Sequence, residues 1–256
     1  MFIGEAELVC SRTNGQGETM TTVKMLSMPS LLLLGHRGDR HAARENTISA
    51  FDRALENGCD GFEFDVRAAR DGRAVVFHDA KISGISIARN TFETLQALGP
   101  ASENDRLPAL EDVITRYAGR AFLDIELKVS GLESKLIELL KPNPLPRGFV
   151  ISSFLPPVLL TLARRDPSLS LGFICESRRN LARWPELPIR YVIAQYRLVS
   201  ADLVAACHGA KRMVLAWTVN QPSTMQSVAD LGVDGIISDD SKLMVETLRP
   251  DRASAH

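Results

Sequence analysis

Within the stretch GFEFDVRAARDGRAVVFHD, residues 61 to 79, two carboxylates, Glu63 and Asp65, stand two positions apart, and His78 and Asp79 follow across an Asp71-Gly72 turn. Carboxylates with this spacing can hold a hard cation through oxygen, and an imidazole beside them can move protons near neutral pH. A second run, AFLDIELK, repeats the spacing with Asp124, Glu126 and Lys128. A third, LLLLGHRG, ends in His36 and Arg37.

If these runs are strands, the period of two sets Glu63 and Asp65 on one face and Phe62, Phe64 and Val66 on the other. The same parity separates Asp124, Glu126 and Lys128 from Leu123, Ile125 and Leu127. Glu63, Asp65 and Glu126 then converge at the C-terminal ends of neighbouring strands. Three carboxylates in a partly desolvated mouth repel one another, so they must take up protons or bind a cation. A divalent ion is the simpler solution. Oxygen-only ligands favour Mg2+ or Ca2+, since zinc would seek histidine or thiolate. His36 and His78 reach this mouth from two sides and can divide the work, one accepting a proton from the nucleophile and the other donating to the leaving oxygen.

The elements that must position these residues follow a regular order. Short apolar runs alternate with helical-period segments, which predicts βα units around a parallel sheet. Strands are expected at 31 to 36, 61 to 66, 121 to 128, 149 to 154, 169 to 176, 190 to 196, 212 to 219 and 234 to 239. Most of the intervening segments open on a capping Asn or Ser or an early proline, and several stop at Gly58, Gly119, Gly209 and Gly232. Eight strand and helix pairs imply an α/β fold of the closed (β/α)8 TIM-barrel type. An open doubly wound sheet is the alternative, but no GxGxxG follows the first strand. The Asp71-Gly72 turn adds a β-hairpin after strand 2; with those two residues as the loop, Arg70 faces Arg73 and Asp65 faces His78. A small insertion, about 79–107, follows the hairpin and is expected to cover the mouth and touch the substrate.

The totals exclude more than they assign. Hydrophobic residues at 45%, charged residues at 24% and a net charge of -1 describe a globular chain with no field for nucleic acid. Cys10, Cys59, Cys175 and Cys207 show no zinc spacing and read as reduced core thiols. The leading MFIGEAELVC has no basic leader, and the run at 24–35 reads as a strand and not as a signal. A cytoplasmic protein without stable membrane insertion is expected. Residues 1–28 read as a disordered extension with Met20 as an alternative start, 29–250 as one barrel domain, and 251–256 as a flexible tail.

Taken in order, HRG, ENT, E-x-D, the DG turn with HD, ELK, WTVN and GVDGIISD resemble the glycerophosphodiester phosphodiesterase family from about Leu33 to Ser241. The resemblance implies that His36 and His78 are the general acid/base pair, that Glu63, Asp65 and Glu126 ligate the metal, and that Arg37 and Lys128 grip the phosphate. It also implies that Trp217 walls the glycerol, while Glu45 reads as a structural partner of Arg37. The substrate would be a small glycerophosphodiester, cleaved to glycerol 3-phosphate and an alcohol such as choline or ethanolamine. Arg44 stands where the family commonly has proline, and the segment after HD lacks the usual Arg-Thr pair. A lysophospholipid or sphingolipid head-group phosphodiesterase, or a non-catalytic binder of phosphorylated head groups, are the alternatives.

Overall fold

The structure is a computed structural model, in which residues 31–100, 102 and 104–250 are described. The expectations for residues 1–28 and 251–256 lie outside these residues. Among the described residues eleven strands run in chain order: β1 (Leu32–His36), β2 (Gly61–Ala68), β3 (Ala74–Val76), β4 (Lys81–Ile82), β5 (Ile85–Ser86), β6 (Phe122–Leu127), β7 (Phe149–Ser153), β8 (Leu171–Cys175), β9 (Tyr191–Gln195), β10 (Met213–Trp217) and β11 (Gly235–Ser238). Eight of them, β1, β2 and β6 to β11, pair in parallel, and β11 closes on β1. The expected barrel is therefore present, with each expected strand within two residues of its observed ends.

Helices follow the barrel strands: α1 (Ile48–Glu56), α2 (Phe92–Gln96), α3 (Leu110–Tyr117), α4 (Glu133–Leu140), α5 (Pro156–Arg165), α6 (Arg178–Leu181), α7 (Ala201–Gly209), α8 (Pro222–Asp230) and α9 (Ser241–Leu248). The outward residues of β2 make the core between sheet and helices. Phe62 stacks on Phe51 of α1 at 4.2 Å between ring centroids and meets Tyr117 of α3 edge-on at 4.9 Å. A second apolar cluster, Leu34, Phe122, Val150, Ile174, Tyr191, Ile193, Leu215 and Ile237, fills the barrel interior. Among the described residues no helix is long and apolar enough to cross a membrane. Cys59, Cys175 and Cys207 are buried free thiols, and Cys10 lies outside the described residues.

Local chemistry departs from expectation at several ends. The cap of α1 is Thr47, whose hydroxyl accepts from the Ala50 N–H at 3.3 Å, and Asn46 is left for another task. Of the four expected glycine stops, Gly58 and Gly232 take positive φ (+94° and +83°), but Gly209 is the last residue of α7 and Lys211 (φ 58°) makes the left-handed turn.

The hairpin register is shifted by one. Val66 pairs with Val76, Arg67 with Val75 and Ala68 with Ala74. The Ala69 N–H reaches Arg73 O, and the Gly72 N–H reaches Ala69 O. The loop is therefore three residues, Arg70 to Gly72, with Gly72 at φ +77°. A three-residue loop ending in a left-handed glycine is a stable hairpin in its own right, which is why the Asp-Gly pair alone does not fix a two-residue turn. Asp65 consequently lies opposite Phe77, whose N–H it accepts at 2.9 Å, and not opposite His78.

The insertion also differs from expectation. Its residues Ile82, Ile87, Phe92 and Leu95 pack with Ala69, Val75, Leu107 and Ala109 into a separate apolar cluster. That cluster backs the hairpin. No described residue of 79–107 lines the cavity at the barrel mouth; the large apolar side chains of the segment are drawn to Val75 instead of the polar opening.

Candidate active site

A cavity of about 440 Å3 opens at the C-terminal ends of the barrel strands, and His36, Arg37, Glu63, His78, Glu126 and Lys128 line it. Register explains the convergence. His36, Glu63 and Asp124 are lateral partners across β1, β2 and β6, and one layer higher Asp65 is the partner of Glu126. Glu63, Asp65, Asp124 and Glu126 are all buried. Ligand oxygens of Glu63, Asp65 and Glu126 lie within 4.8 Å of one another.

The chain between β1 and α1 holds two of these acids. Arg37 (φ 58°) and Asn46 (φ 57°) both take the left-handed conformation that side chains other than glycine rarely adopt, and the Asn46 N–H donates to Arg37 O at 3.0 Å. This turn aims the Arg37 N–H at Glu63 Oε2, 3.0 Å away. Asn46 Nδ2 donates to Asp65 Oδ2 at 2.8 Å, and the Asp65 N–H returns to Asn46 Oδ1. Gly38 completes the turn: at φ +83°, an added Cβ would lie 2.5 Å from the Ala50 carbonyl carbon. The glycine of HRG is thus required by contact as well as by conformation.

Charge is unevenly distributed. Arg37 pairs with Asp65 (3.2 Å) and Glu45 (2.9 Å), as expected for Glu45, and Lys128 pairs with Asp65 (3.3 Å) and Glu126 (2.8 Å). Burial would raise the Asp65 carboxyl, but Arg37 and Lys128 hold it below its ordinary range. Glu63 has weaker help: the Arg37 N–H donates to it and the Arg37 charge favours its ionised form, but neither decides its state. Burial first, then the charges of Asp65 and Glu126, push it well above the carboxylate range, and burial with Asp65 does the same to Glu126. Burial also lifts Asp124, which accepts from Ser152 Oγ at 2.5 Å, to about 7. Glu63 Oε1 and Asp124 Oδ2 are buried with no hydrogen-bond partner among the described residues.

These orphan oxygens are the test of whether the site suits an ion. Four buried carboxyls face two cations, the ligand atoms that come together within the trio are all oxygen, and the trio includes an acid with a buried unpartnered oxygen. The residues fit a hard divalent cation.

The two imidazoles differ in setting. His36 is buried, and its Nδ1 lies 2.6 Å from Asp239 Oδ1. Burial lowers the His36 pKa, with the Asp239 hydrogen bond opposing it. Burial would raise Asp239, but the His36 hydrogen bond and charge, the Asn220 hydrogen bond and the Arg40 charge together outweigh it and bring the carboxyl to about 2. An ionised Asp239 accepts from Nδ1–H, which leaves His36 Nε2 with its lone pair, 3.9 Å from Glu63 Oε2. His78 is one-third exposed and bonds Asp79 Oδ1 through Nδ1 at 2.8 Å, while Arg67 Nε donates to its carbonyl at 2.7 Å. Trp217 is half-buried, donates Nε1–H to Ile193 O at 3.2 Å and meets Phe154 edge-on at 5.6 Å.

All eight residues expected at the site therefore lie in or against this cavity: seven line it, and Asp65 sits beneath as the third member of the acidic trio. Asp239, Asn220 and Asn46 were not anticipated. Asn220 Nδ2 holds Asp239 Oδ2 at 2.6 Å. Asn220 and Asp239 follow β10 and β11 in WTVN and GIISD, polar residues past an apolar strand at the barrel's active end, whereas Asn46 lies in the loop before α1 and carries no such signal. His208 bonds Asp234 at 2.9 Å, away from the cavity, in keeping with a supporting role.

Comparison with known proteins agrees with this arrangement. A profile of the glycerophosphoryl diester phosphodiesterase family matches residues 36–243. A glycerophosphodiester phosphodiesterase of Caldanaerobacter subterraneus subsp. tengcongensis is 30% identical over 239 residues, 85% of this chain and 98% of its own. A glycerophosphodiester phosphodiesterase of Bacillus altitudinis is 28% identical over 233 residues, 81% of this chain and 94% of its own. Among solved structures, a glycerophosphodiester phosphodiesterase of Parabacteroides distasonis superposes with a TM-score of 0.75 at 25% identity, covering 90% of this chain and all of that one. An Oleispira antarctica phosphodiesterase, solved with sn-glycerol-3-phosphate, does so with a TM-score of 0.74 at 24% identity, covering 84% and 96%. The chain belongs to the glycerophosphoryl diester phosphodiesterase family.

Proposed function

We propose that this chain is a divalent-metal-dependent phosphodiesterase that hydrolyses glycerophosphodiesters to glycerol 3-phosphate and an alcohol. The observation that carries the reading is the acidic trio of Glu63, Asp65 and Glu126, with a buried orphan oxygen on Glu63, in one cavity with His36 and His78. Glycerol as the constant half of the substrate is supported by the family and by the Oleispira antarctica neighbour, which holds sn-glycerol-3-phosphate.

Glu63, Asp65 and Glu126 hold one Mg2+ or Ca2+. When bound, the ion offsets charge on the phosphoryl oxygens. Arg37 and Lys128 grip the phosphate from the β1 and β6 sides. Burial keeps His36 neutral, and Asp239 fixes the tautomer with Nε2 free, so His36 accepts the proton of the attacking oxygen. His78, nearer solvent, protonates the departing alkoxide. Trp217 packs against the glycerol carbons.

The test is turnover of glycerophosphocholine, glycerophosphoethanolamine, glycerophosphoglycerol and lysophosphatidylcholine, followed by phosphorus NMR with and without chelation. Glycerol 3-phosphate formed from the first three, lost on chelation and restored by Mg2+ or Ca2+, is expected. Activity that survives exhaustive chelation contradicts the metal, and product only from the lysolipid contradicts the substrate.

A further inference from the structure

The cavity has two unlike walls. Its basic residues, His36, Arg37, His78 and Lys128, all come from β1, the β2–β3 hairpin and β6 or the residues that follow them. The opposite wall is supplied from β8 to β10: Ile174, Ile193 and Trp217, with Glu176 just past β8 and Asn180 in α6. Glu176 is exposed and Asn180 half-buried. Among the described residues neither side chain has a hydrogen bond or ion pair, whereas the acids of the first wall are held by Arg37 and Lys128.

A carboxylate that lines a binding cavity without a protein cation or donor to neutralise it constrains what can lie against it. A phosphodiester has two arms. One is glycerol, which the reading above assigns to Trp217. The other arm meets the remaining polar groups of the wall, and these are one negative charge and one amide. A positive charge there completes Glu176. An anionic arm would bring like charges together in a partly desolvated cleft, at a cost set by their separation. The cavity is then complementary to a zwitterion, with the phosphate at the metal and arginine wall and the cation at the other.

We infer that Glu176, with Asn180 beside it, forms the subsite for the alcohol arm and selects diesters whose alcohol carries an ammonium group, primary or quaternary, over neutral and anionic ones. The inference rests on the phosphodiesterase reading and deepens it from glycerophosphodiesters in general to the zwitterionic ones.

The experiment compares kcat/KM for glycerophosphocholine and glycerophosphoethanolamine with that for glycerophosphoglycerol in the wild type, Glu176→Gln and Glu176→Lys. These diesters share glycerol and phosphate and differ only in the alcohol. The position is exposed, so both variants retain the fold. In Glu176→Gln the ratio of cationic to neutral substrate should fall about tenfold, the loss of one partly solvated charge contact. In Glu176→Lys it should fall further, and raising the salt concentration should shrink the wild-type ratio. An unchanged ratio in Glu176→Gln overturns the inference, whether both rates fall together, because Glu176 then serves the shared glycerol, or neither moves. A wild type that cleaves none of the diesters overturns the functional reading and the inference with it, whereas an active wild type with an unaltered ratio overturns only the inference.

Discussion

On β2 and β6 the inward positions at the barrel mouth are Glu63, Asp65, Asp124 and Glu126, whereas β8 and β9 present Ile174 and Ile193 to the same cavity. The strands of both halves are equally buried and pair in the same parallel sheet. What separates them is the cost of the inward face. Isoleucines in the barrel interior stabilise by leaving water, while buried carboxylates lose hydration and repel, and are held only where Arg37, Lys128 and Asn46 reach them. Chemistry is therefore concentrated where folding alone would not place charge, and β2 carries both economies at once: Phe62 and Phe64 toward the helices, Glu63 and Asp65 toward the axis.

Changing one residue on each face of β2 separates the two most sharply. Glu63→Gln should reduce turnover on the order of 1,000-fold by removing a metal ligand. Its melting temperature in the absence of metal should hold or rise, because a carboxyl repelled by Asp65 and Glu126, with one oxygen unpartnered, is gone while the amide oxygen can still accept from the Arg37 N–H. Phe62→Ala, one position away, should cost about 3–5 kcal/mol of stability through loss of its contacts with Phe51 and Tyr117. Its folded fraction should keep wild-type kcat. Denaturant unfolding and initial rates read both, and a Glu63→Gln protein that is destabilised as much as Phe62→Ala would remove the contrast.

Smaller effects test the histidines. His36→Ala and His78→Ala should each lower kcat by about 100-fold, the usual range for a lost acid or base. Wild-type rates in either variant would take that ring out of the mechanism. Asp239→Asn should act more gently, about tenfold on kcat with KM little altered, because it disturbs only the tautomer of His36. The same substitution has a signature in pH. The folded Asp239 carboxyl sits near 2 against an ordinary value of 3.8, so its stabilisation is complete above the ordinary value and is lost as pH falls through about 2. The difference in melting temperature between wild type and Asp239→Asn should close over that range.

The barrel and the acidic trio were legible because both depend on period and order alone. Alternation on GFEFDV and FLDIEL sorts inward from outward residues whatever the register, and eight such runs leave little choice but closure. The position of His78 was legible only in outline. An Asp-Gly pair serves two-residue and three-residue loops alike, and the choice shifts every partner by one. The insertion was misread for a related reason: its apolar side chains are few, and nothing local says that they gather on Val75 behind the hairpin. The pairings of Asp239 with His36 and of Asn46 with Asp65 were hidden because each joins residues distant in sequence, the first across the barrel seam.

Calorimetric titration of Ca2+ or Mg2+ into chelator-stripped protein tests the acidic trio most directly. One ion should bind per chain of the wild type, and binding should be lost in Glu63→Gln, Asp65→Asn and Glu126→Gln. Undetectable binding in the wild type, or equal binding in all three variants, would contradict the account.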